Sequence, residues 1–250
     1  MISRANRPDY GMDAPPVIRN LLVAGFGSIV LSFFVAQMPW GPAVYIAFGL
    51  LWMGPWFILS GILMILSSRF GKYREREHLV DLLELGGIEW VLDVGCGRGL
   101  ILNEVASRLS TGKAVGIDIW QASDLSGNSP EVTQENARRE GVEDRVEVLS
   151  ADVRDLPFDD ASFDCVTSSM CIHNIASSEE RAKAMSEIMR VLKPGGSFAI
   201  MDFRNTQEYV DQFKLLGALD VMRSGLRFRL YPPSRIVTGI KPRFEGGDET

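Results

Sequence analysis

Three glycines alternate in the segment VLDVGCGRG, at Gly95, Gly97 and Gly99, with Asp93 two residues ahead of the first. Glycine leaves the backbone bare, so a ligand can approach closely and N–H groups can be aimed at it. A dinucleotide fold is the obvious rival, but its fingerprint is GxGxxG. Here the register is GxGxG, with Leu100 where the third glycine would fall. A carboxylate just before the turn is a poor neighbour for a pyrophosphate and suits a ligand with a cationic or amine-bearing end. Asp118 closes GID, where a carboxylate accepts both hydroxyls of a ribose; a turn or cap role is the plainer alternative. The cluster SSMCIHNI adds His173, a general base near neutral pH by type, and Asn174, suited to holding a polar substrate atom. For both residues local packing is the bland reading. Ser168 and Ser169 have no base partner at a recognisable spacing for nucleophilic work.

These residues need strand ends and turns to present them, and the pattern supplies both. Short apolar runs at 90–94, 113–119, 145–152, 163–171 and 197–203 alternate with helical segments at 100–110, 130–141 and 178–192. The last of these helices is expected to close in the turn KPGG. Strands alternating with helices predict a parallel sheet covered on both faces. After a helix at 206–216, the runs 219–225 and 235–241 read as two closing strands. The ligand crevice of such a sheet lies at the carboxyl ends of its strands, which is where the glycine turn, Asp118 and His173 all fall.

Composition narrows the class. A formal charge of -6 argues against a nucleic-acid protein, which needs a basic footprint. Cys96, Cys165 and Cys171 show neither CxxC pairing nor metal-type spacing with the two histidines, so no metal site is expected and reduced thiols are. No Asp, Glu, Lys or Arg occurs between Arg19 and Arg69. This stretch holds apolar runs at 21–38 and 43–66, near the ~20 residues a helix needs to cross a bilayer. A signal peptide would carry one shorter run followed by polar sequence. A buried hairpin in a soluble core and a shallow re-entrant hairpin are the alternatives to two spans. Arg4, Arg7 and Arg19 precede the first run, and Arg69, Lys72, Arg74 and Arg76 follow the second. The positive-inside rule then puts both termini on the cytoplasmic side. The basic group at 69–76 is either a headgroup contact or a topology signal alone.

Four motifs, VLDVGCGRG, GIDIW, ADVRDLPFDDASFDCV and EIMRVLKPGGSFAIMDF, resemble in order and spacing those of class I S-adenosylmethionine-dependent methyltransferases. The group containing the ubiquinone and menaquinone C-methyltransferases is the nearest in flavour. The resemblance covers about 79–241 and implies an α/β, Rossmann-like, seven-stranded methyltransferase domain preceded by two transmembrane helices. The expected division is an N-terminal cytoplasmic segment at 1–16, the hairpin at 17–68, an amphipathic linker helix at 69–88, the methyltransferase domain at 89–242 and a disordered tail at 243–250. The resemblance also implies the cofactor, S-adenosyl-L-methionine. Gly95, Cys96, Gly97 and Gly99 would pass under its methionine and ribose, with Asp93 near the cationic end and Asp118 on the ribose. Ile119 or Trp120 would pack on the adenine face, Asp152 and Val153 would flank the adenine, and Ser168 completes the cofactor set. His173 and Asn174 remain the candidates for chemistry on the acceptor.

Two departures from the family pattern matter. The segment QASDLSGNSPE after GIDIW is longer than usual and is expected to loop over the nucleoside. MDF runs almost directly into RNTQEYVDQFKLLG, leaving almost no room for the substrate lid many relatives insert there. The cover must come from the helix at 73–85, the membrane surface or a second protomer. Together these features predict a membrane-anchored methyltransferase acting on a small, lipophilic or membrane-associated acceptor. A non-catalytic cofactor-binding protein and a protein methyltransferase are the competing readings.

Overall fold

The computed structural model describes residues 7–121 and 125–243. Arg4, the tail from 244 onward and residues 122–124 of the long loop lie outside that description. Two apolar helices open the fold, α1 (Pro15–Ala36) and α2 (Ala43–Leu66). They pack through glycines: a Cβ on Gly25 would lie 2.9 Å from the Gly54 carbonyl oxygen, and one on Gly54 would lie 2.8 Å from the Gly25 carbonyl oxygen. Small residues at the contact are how apolar helices approach when there is no solvent to drive them together.

The helix does not end at the polar boundary. A π-helical turn at Ser67–Gly71 carries α2 directly into α3 (Lys72–Asp81). An extra residue per turn changes the direction of the helix's faces, and such turns recur at functional sites. At Gly71 the reason for glycine is visible, because a Cβ there would lie 1.9 Å from the carbonyl oxygen of Arg229. Gly71→Ala is therefore expected to lower the unfolding free energy by about 2 kcal/mol, read as a fall in the thermal midpoint of the detergent-solubilised chain. An unchanged midpoint would show that the loop carrying Arg229 is not packed on the helix.

The sheet follows in the order β3-β2-β1-β4-β5-β7-β6. Its strands are β1 (Trp90–Val94), β2 (Lys113–Asp118), β3 (Val146–Ser150), β4 (Phe163–Ser169), β5 (Leu192–Asp202), β6 (Leu219–Arg223) and β7 (Arg235–Ile240). β1 to β5 pair in parallel, while β7 runs antiparallel to both β5 and β6. Helices α4 (Leu100–Arg108), α5 (Pro130–Glu140), α6 (Ser178–Val191) and α7 (Thr206–Leu215) complete it. One buried layer is built from Leu92, Val94, Val166, Ile188, Phe198 and Phe213, the other from Val91, Leu102, Val105, Ala114 and Ala199. The alternating strand and helix pattern thus gives the α/β class I methyltransferase architecture that the four motifs imply. One local expectation fails. KPGG is not a turn between α6 and the fifth strand, because β5 already begins at Leu192 and the pairing with β4 shifts register between Phe163 and Cys165. Gly195, at φ 82, takes up that irregularity within the strand run.

Residues 7–14, ahead of the first apolar helix, fold back across the sheet domain. Tyr10 is 2% exposed; its hydroxyl donates to Glu140 at 2.6 Å and accepts from the Asn103 amide at 3.1 Å. Asn136 brackets Asp9, accepting from its N–H and donating to its carbonyl. The Lys72 ammonium reaches the carbonyls of Tyr10 and Gly11 at 2.8 Å each, and burial pulls its pKa down. Arg76 pairs with Glu104 and Glu140 beside the Tyr10 and Tyr73 rings. Of the basic residues at 69–76, only Arg69 and Arg74 face outward; Lys72 and Arg76 are structural.

Candidate cofactor and acceptor site

The turn after β1 depends on backbone angles that only glycine adopts without strain. Gly95, Gly97 and Gly99 have φ of 71, 52 and 84. Their N–H groups do not all face a ligand, contrary to the simplest reading of a glycine-rich turn. The N–H groups of Gly95 and Cys96 both donate to the Ile117 carbonyl, that of Gly97 donates to Asp118 Oδ2 at 2.9 Å, and that of Gly99 to the Cys96 carbonyl. The turn spends its donors on closing against β2. The space a Cβ would take at Gly97 and Gly99 is met by the Leu125 and Thr133 side chains. A Cβ on Gly95 would lie 2.3 Å from the Cys171 sulfur, so the turns after β1 and β4 are in contact.

Asp93 lies under this turn and is 1% exposed. Its Oδ1 accepts from the Thr167 hydroxyl at 2.9 Å, while Oδ2 is buried without a hydrogen-bond partner. Burial pushes the carboxyl up to about 7, with the neighbouring Asp118 charge adding to the rise and the Thr167 hydroxyl opposing it. A buried acceptor left open, with a second carboxylate nearby, is a place for positive charge. Asp118 Oδ1 accepts from the Trp120 N–H at 2.6 Å and from the Asn128 amide at 3.3 Å. Each carboxylate oxygen has two lone pairs, so Asp118 retains acceptor capacity beyond its bond to Gly97. Trp120 adopts φ 60, and its indole N–H donates to Ser150 at 2.8 Å. Ile119 is exposed.

The remaining cofactor candidates divide. Val153 is buried in the core layer under β2 and β4. The Asp152 carboxylate is engaged by Arg154, whose guanidinium holds it below the usual carboxylate range and reaches on to Glu180. Ser168 donates to the Val94 carbonyl at 3.0 Å, tying β4 to β1. Cys96 is buried beside β2, and burial raises its thiol well above the ordinary value.

At the end of β4 a short turn at Ile172–Asn174 presents His173. Its Nδ1 lies 2.7 Å from Asp202 Oδ1, a close contact not aligned as a hydrogen bond, and its backbone N–H donates to Asp202 Oδ2 at 3.1 Å. Asp202 is fully buried and also accepts from the Tyr209 hydroxyl and the Phe203 N–H. The His173 ring meets the Phe203 ring edge-on at 4.5 Å. A carboxylate on Nδ1 leaves Nε2 as the working nitrogen. Asn174 is exposed beside it. Sequence reading missed Asp202, which looks like an ordinary strand-end residue in AIMDF; a carboxylate closing the strand next to the histidine-bearing turn was the available signal. It missed Tyr10, Asn103 and Asn136 altogether.

The described part of the long loop after β2 meets the N-terminal segment. The Met12 N–H donates to the Ser126 hydroxyl and the Ser126 N–H to the Met12 carbonyl, while Arg98 joins the Ser126 carbonyl to Asp9. The N-terminal strap therefore clamps the described part of the long loop. Between β5 and α7 only three residues intervene.

A seven-stranded sheet with its one antiparallel strand between β5 and β6, and a glycine turn flanked by two carboxylates at its carboxyl edge, define a class I S-adenosylmethionine-dependent methyltransferase domain. Residues 92–200 match the family described as "Methyltransferase domain". The chain is 33% identical over 132 residues to a sterol 4-C-methyltransferase of Caenorhabditis elegans, covering 53% of this chain and 36% of that protein. It is 32% identical over 154 residues to the chloroplastic 2-phytyl-1,4-beta-naphthoquinone methyltransferase of Arabidopsis thaliana, covering 55% and 56%. To the demethylmenaquinone methyltransferase of Clavibacter sepedonicus it is 40% identical over 115 residues, covering 46% and 41%. The chain thus spans about half or less of the length of these relatives. Among solved structures, the [4+2]-cyclase SpnF superposes with a TM-score of 0.58 at 20% identity, covering 68% of this chain and 81% of that one. Geranyl diphosphate methyltransferase with its diphosphate and sinefungin gives 0.54 at 14%, covering 67% and 77%. Both share the fold. S-adenosyl-L-methionine is the cofactor of this domain, and the open, buried Asp93 oxygen fits its cationic end.

Proposed function

We propose that the chain is a membrane-anchored S-adenosylmethionine-dependent methyltransferase acting on a small lipophilic or membrane-associated acceptor. One observation carries this reading. A single continuous helix joins an apolar hairpin to the domain that holds the glycine turn. The two apolar helices have the length and composition of membrane spans, and only 17% of each apolar window is buried; a soluble core helix would be covered. The 24 residues of α2 give about 36 Å of helix, enough for a hydrocarbon core of about 30 Å. Arg19, Arg69 and Arg74 flank the hairpin on one side and no charge occupies the turn between its helices, a distribution that supports a cytoplasmic side for both ends and the catalytic domain. The names of the relatives, a sterol and two quinone-type methyltransferases, support a lipophilic acceptor.

In this reading Asp93 faces the cationic end of the cofactor. Gly95, Cys96, Gly97 and Gly99 give it close passage, and Asp118 accepts from the ribose. Ile119 and Trp120 supply the adenine face, Val153 and Asp152 its edge, and Ser168 holds the turn to β4. The cofactor supplies a methyl already activated on a sulfonium, so the protein's task is alignment and the exclusion of water. His173, held through Asp202, takes a proton from the acceptor at Nε2, and Asn174 positions it.

His173→Gln is expected to lower kcat about a hundredfold with an unchanged cofactor Kd. Equal turnover across pH would leave His173 a packing residue. The function itself is tested by offering the detergent-purified chain labelled S-adenosylmethionine with a total lipid extract, a prenylated quinol, a sterol and a water-soluble thiol. Label in the lipid-soluble products supports the reading; label confined to the thiol contradicts it.

A further inference from the structure

The connection between β6 and β7, residues 224–234, does more than close the sheet. It is stiffened by paired backbone bonds between Arg227 and Ser234 and by the Ser224 N–H on the Ile236 carbonyl. It then lies along the helix that leaves the apolar hairpin. The Tyr231 N–H donates to the Ser67 hydroxyl at 3.0 Å, and the Tyr231 hydroxyl is 3.0 Å from that of Ser60. Ser60 precedes Ser67 by seven residues, which is about 10 Å at 1.5 Å per residue. The loop thus reaches alongside the last two turns of α2, the level at which the apolar run ends.

What the loop presents there is unlike a solvated surface. Arg227 turns inward to the buried Glu75. Its neighbours Leu226 and Phe228 point elsewhere, at 49% and 75% exposure, and Phe70 on the π-helical turn is 67% exposed. Arg223 and Arg229 are exposed, and one guanidinium nitrogen of Arg229 also reaches Glu75 at 3.4 Å. Large apolar side chains bordered by guanidinium groups, next to a membrane span, make the composition of an interfacial contact. Scattered exposed apolar residues need no explanation, but a cluster continuous with an apolar helix does.

We propose that residues 224–234, with Phe70, form a second contact with the bilayer. Leu226 and Phe228 enter the interfacial layer, and Arg223 and Arg229 meet anionic lipid headgroups. This rests on the reading of α1 and α2 as membrane spans. The contact has a consequence for the site. Because β7 is antiparallel to both neighbours, β6 runs parallel to β5. The loop therefore leaves the sheet at the carboxyl edge that also carries Asp93, Asp118 and His173. Docking it on lipid turns that edge towards the membrane and does the work of the missing lid.

The test uses the full chain with Cys171→Ser, since Cys96 and Cys165 are buried. Bimane is attached at Phe228→Cys, at Leu215→Cys on the opposite edge of the sheet, or at Val30→Cys within α1. Each protein is reconstituted into phosphatidylcholine vesicles containing phosphatidylglycerol. The probe at 228 is expected to be quenched at least twofold by brominated lipid and shielded from aqueous iodide, and the probe at 215 the reverse. Omitting phosphatidylglycerol, or combining Arg223→Gln with Arg229→Gln, halves the lipid quenching at 228. An iodide-accessible probe at 228 with a lipid-quenched probe at 30 overturns the second contact and leaves the hairpin. Iodide access at both 30 and 228 overturns the spanning reading, and this inference with it. Lipid quenching at 228 that ignores both phosphatidylglycerol and the arginines overturns the anionic-headgroup assignment.

Discussion

Asp93→Asn is expected to weaken S-adenosylmethionine binding about a hundredfold and, at pH 8, to make the empty protein more stable. Both effects come from one buried oxygen. In the wild type Asp93 is fully buried, with Oδ2 unpaired and its carboxyl pushed up to about 7 by burial. The charged form is the one that attracts a cation, so binding below pH 7 requires a proton to leave. Affinity should fall by up to about tenfold per pH unit below 7 and level off above it. The amine of the ligand loses its own charge near pH 8, which closes the profile on the alkaline side. Asparagine removes the acid limb along with the charge. The stability effect has the opposite sign. A carboxyl whose pKa is higher folded than unfolded favours folding only at acid pH. That support is lost as pH rises from the unfolded value of 3.8 towards 7. At pH 8 the wild type holds an uncompensated buried charge, and Asn relieves about 2 kcal/mol of that cost. Denaturant unfolding at pH 5 and pH 8, with calorimetric titration of cofactor, separates the two. A variant that binds as the wild type does would remove Asp93 from the site.

Tyr10→Ala carries the second large effect. Tyr10 is buried, bonded to Glu140 and Asn103, and packed beside Arg76. Removing the ring opens a cavity among charged partners, at about 3–4 kcal/mol. Tyr10→Phe keeps the ring and leaves Glu140 and Asn103 short of one partner, at about 1–2 kcal/mol. The strap bonds to Ser126 of the long loop after β2 and to Arg98 of the glycine turn, so the alanine variant also loosens both. A several-fold rise in the cofactor Kd should accompany the lower midpoint. For the same reason a chain beginning near Arg69 loses more than its apolar anchor. It lacks the strap, and Lys72, Asn103 and Asn136 are left without their partners in it.

Much of the domain was legible because its signals are local. Apolar strands ending in glycine or aspartate, separated by helices with one apolar side, place β1, β2 and β4 from sequence alone. The glycine register and Asp93 point to the ligand's charge for the same reason. What stayed hidden depends on distance along the chain. Tyr10 meets Glu140 across 130 positions, and Asp9 meets Asn136 across 127; no periodicity announces such pairs. His173 and Asp202 come together only because β4 and β5 are adjacent in the sheet. The inward turn of Lys72 and Arg76 was illegible too, since a basic residue after an apolar run looks like a topology signal until its partners are seen. Gly71 had no sequence signal at all; its necessity comes from the Arg229 carbonyl packed against it.

The central claim is that this chain moves a methyl group to something carried in the membrane it is anchored in. The most direct measurement reconstitutes the full chain into vesicles of total lipid extract and supplies methyl-labelled S-adenosylmethionine in the aqueous phase. The account predicts label in an organic-extractable product of the same vesicles, abolished by Asp118→Ala. Cofactor bound by the vesicles with no label in any lipid-soluble product would contradict it.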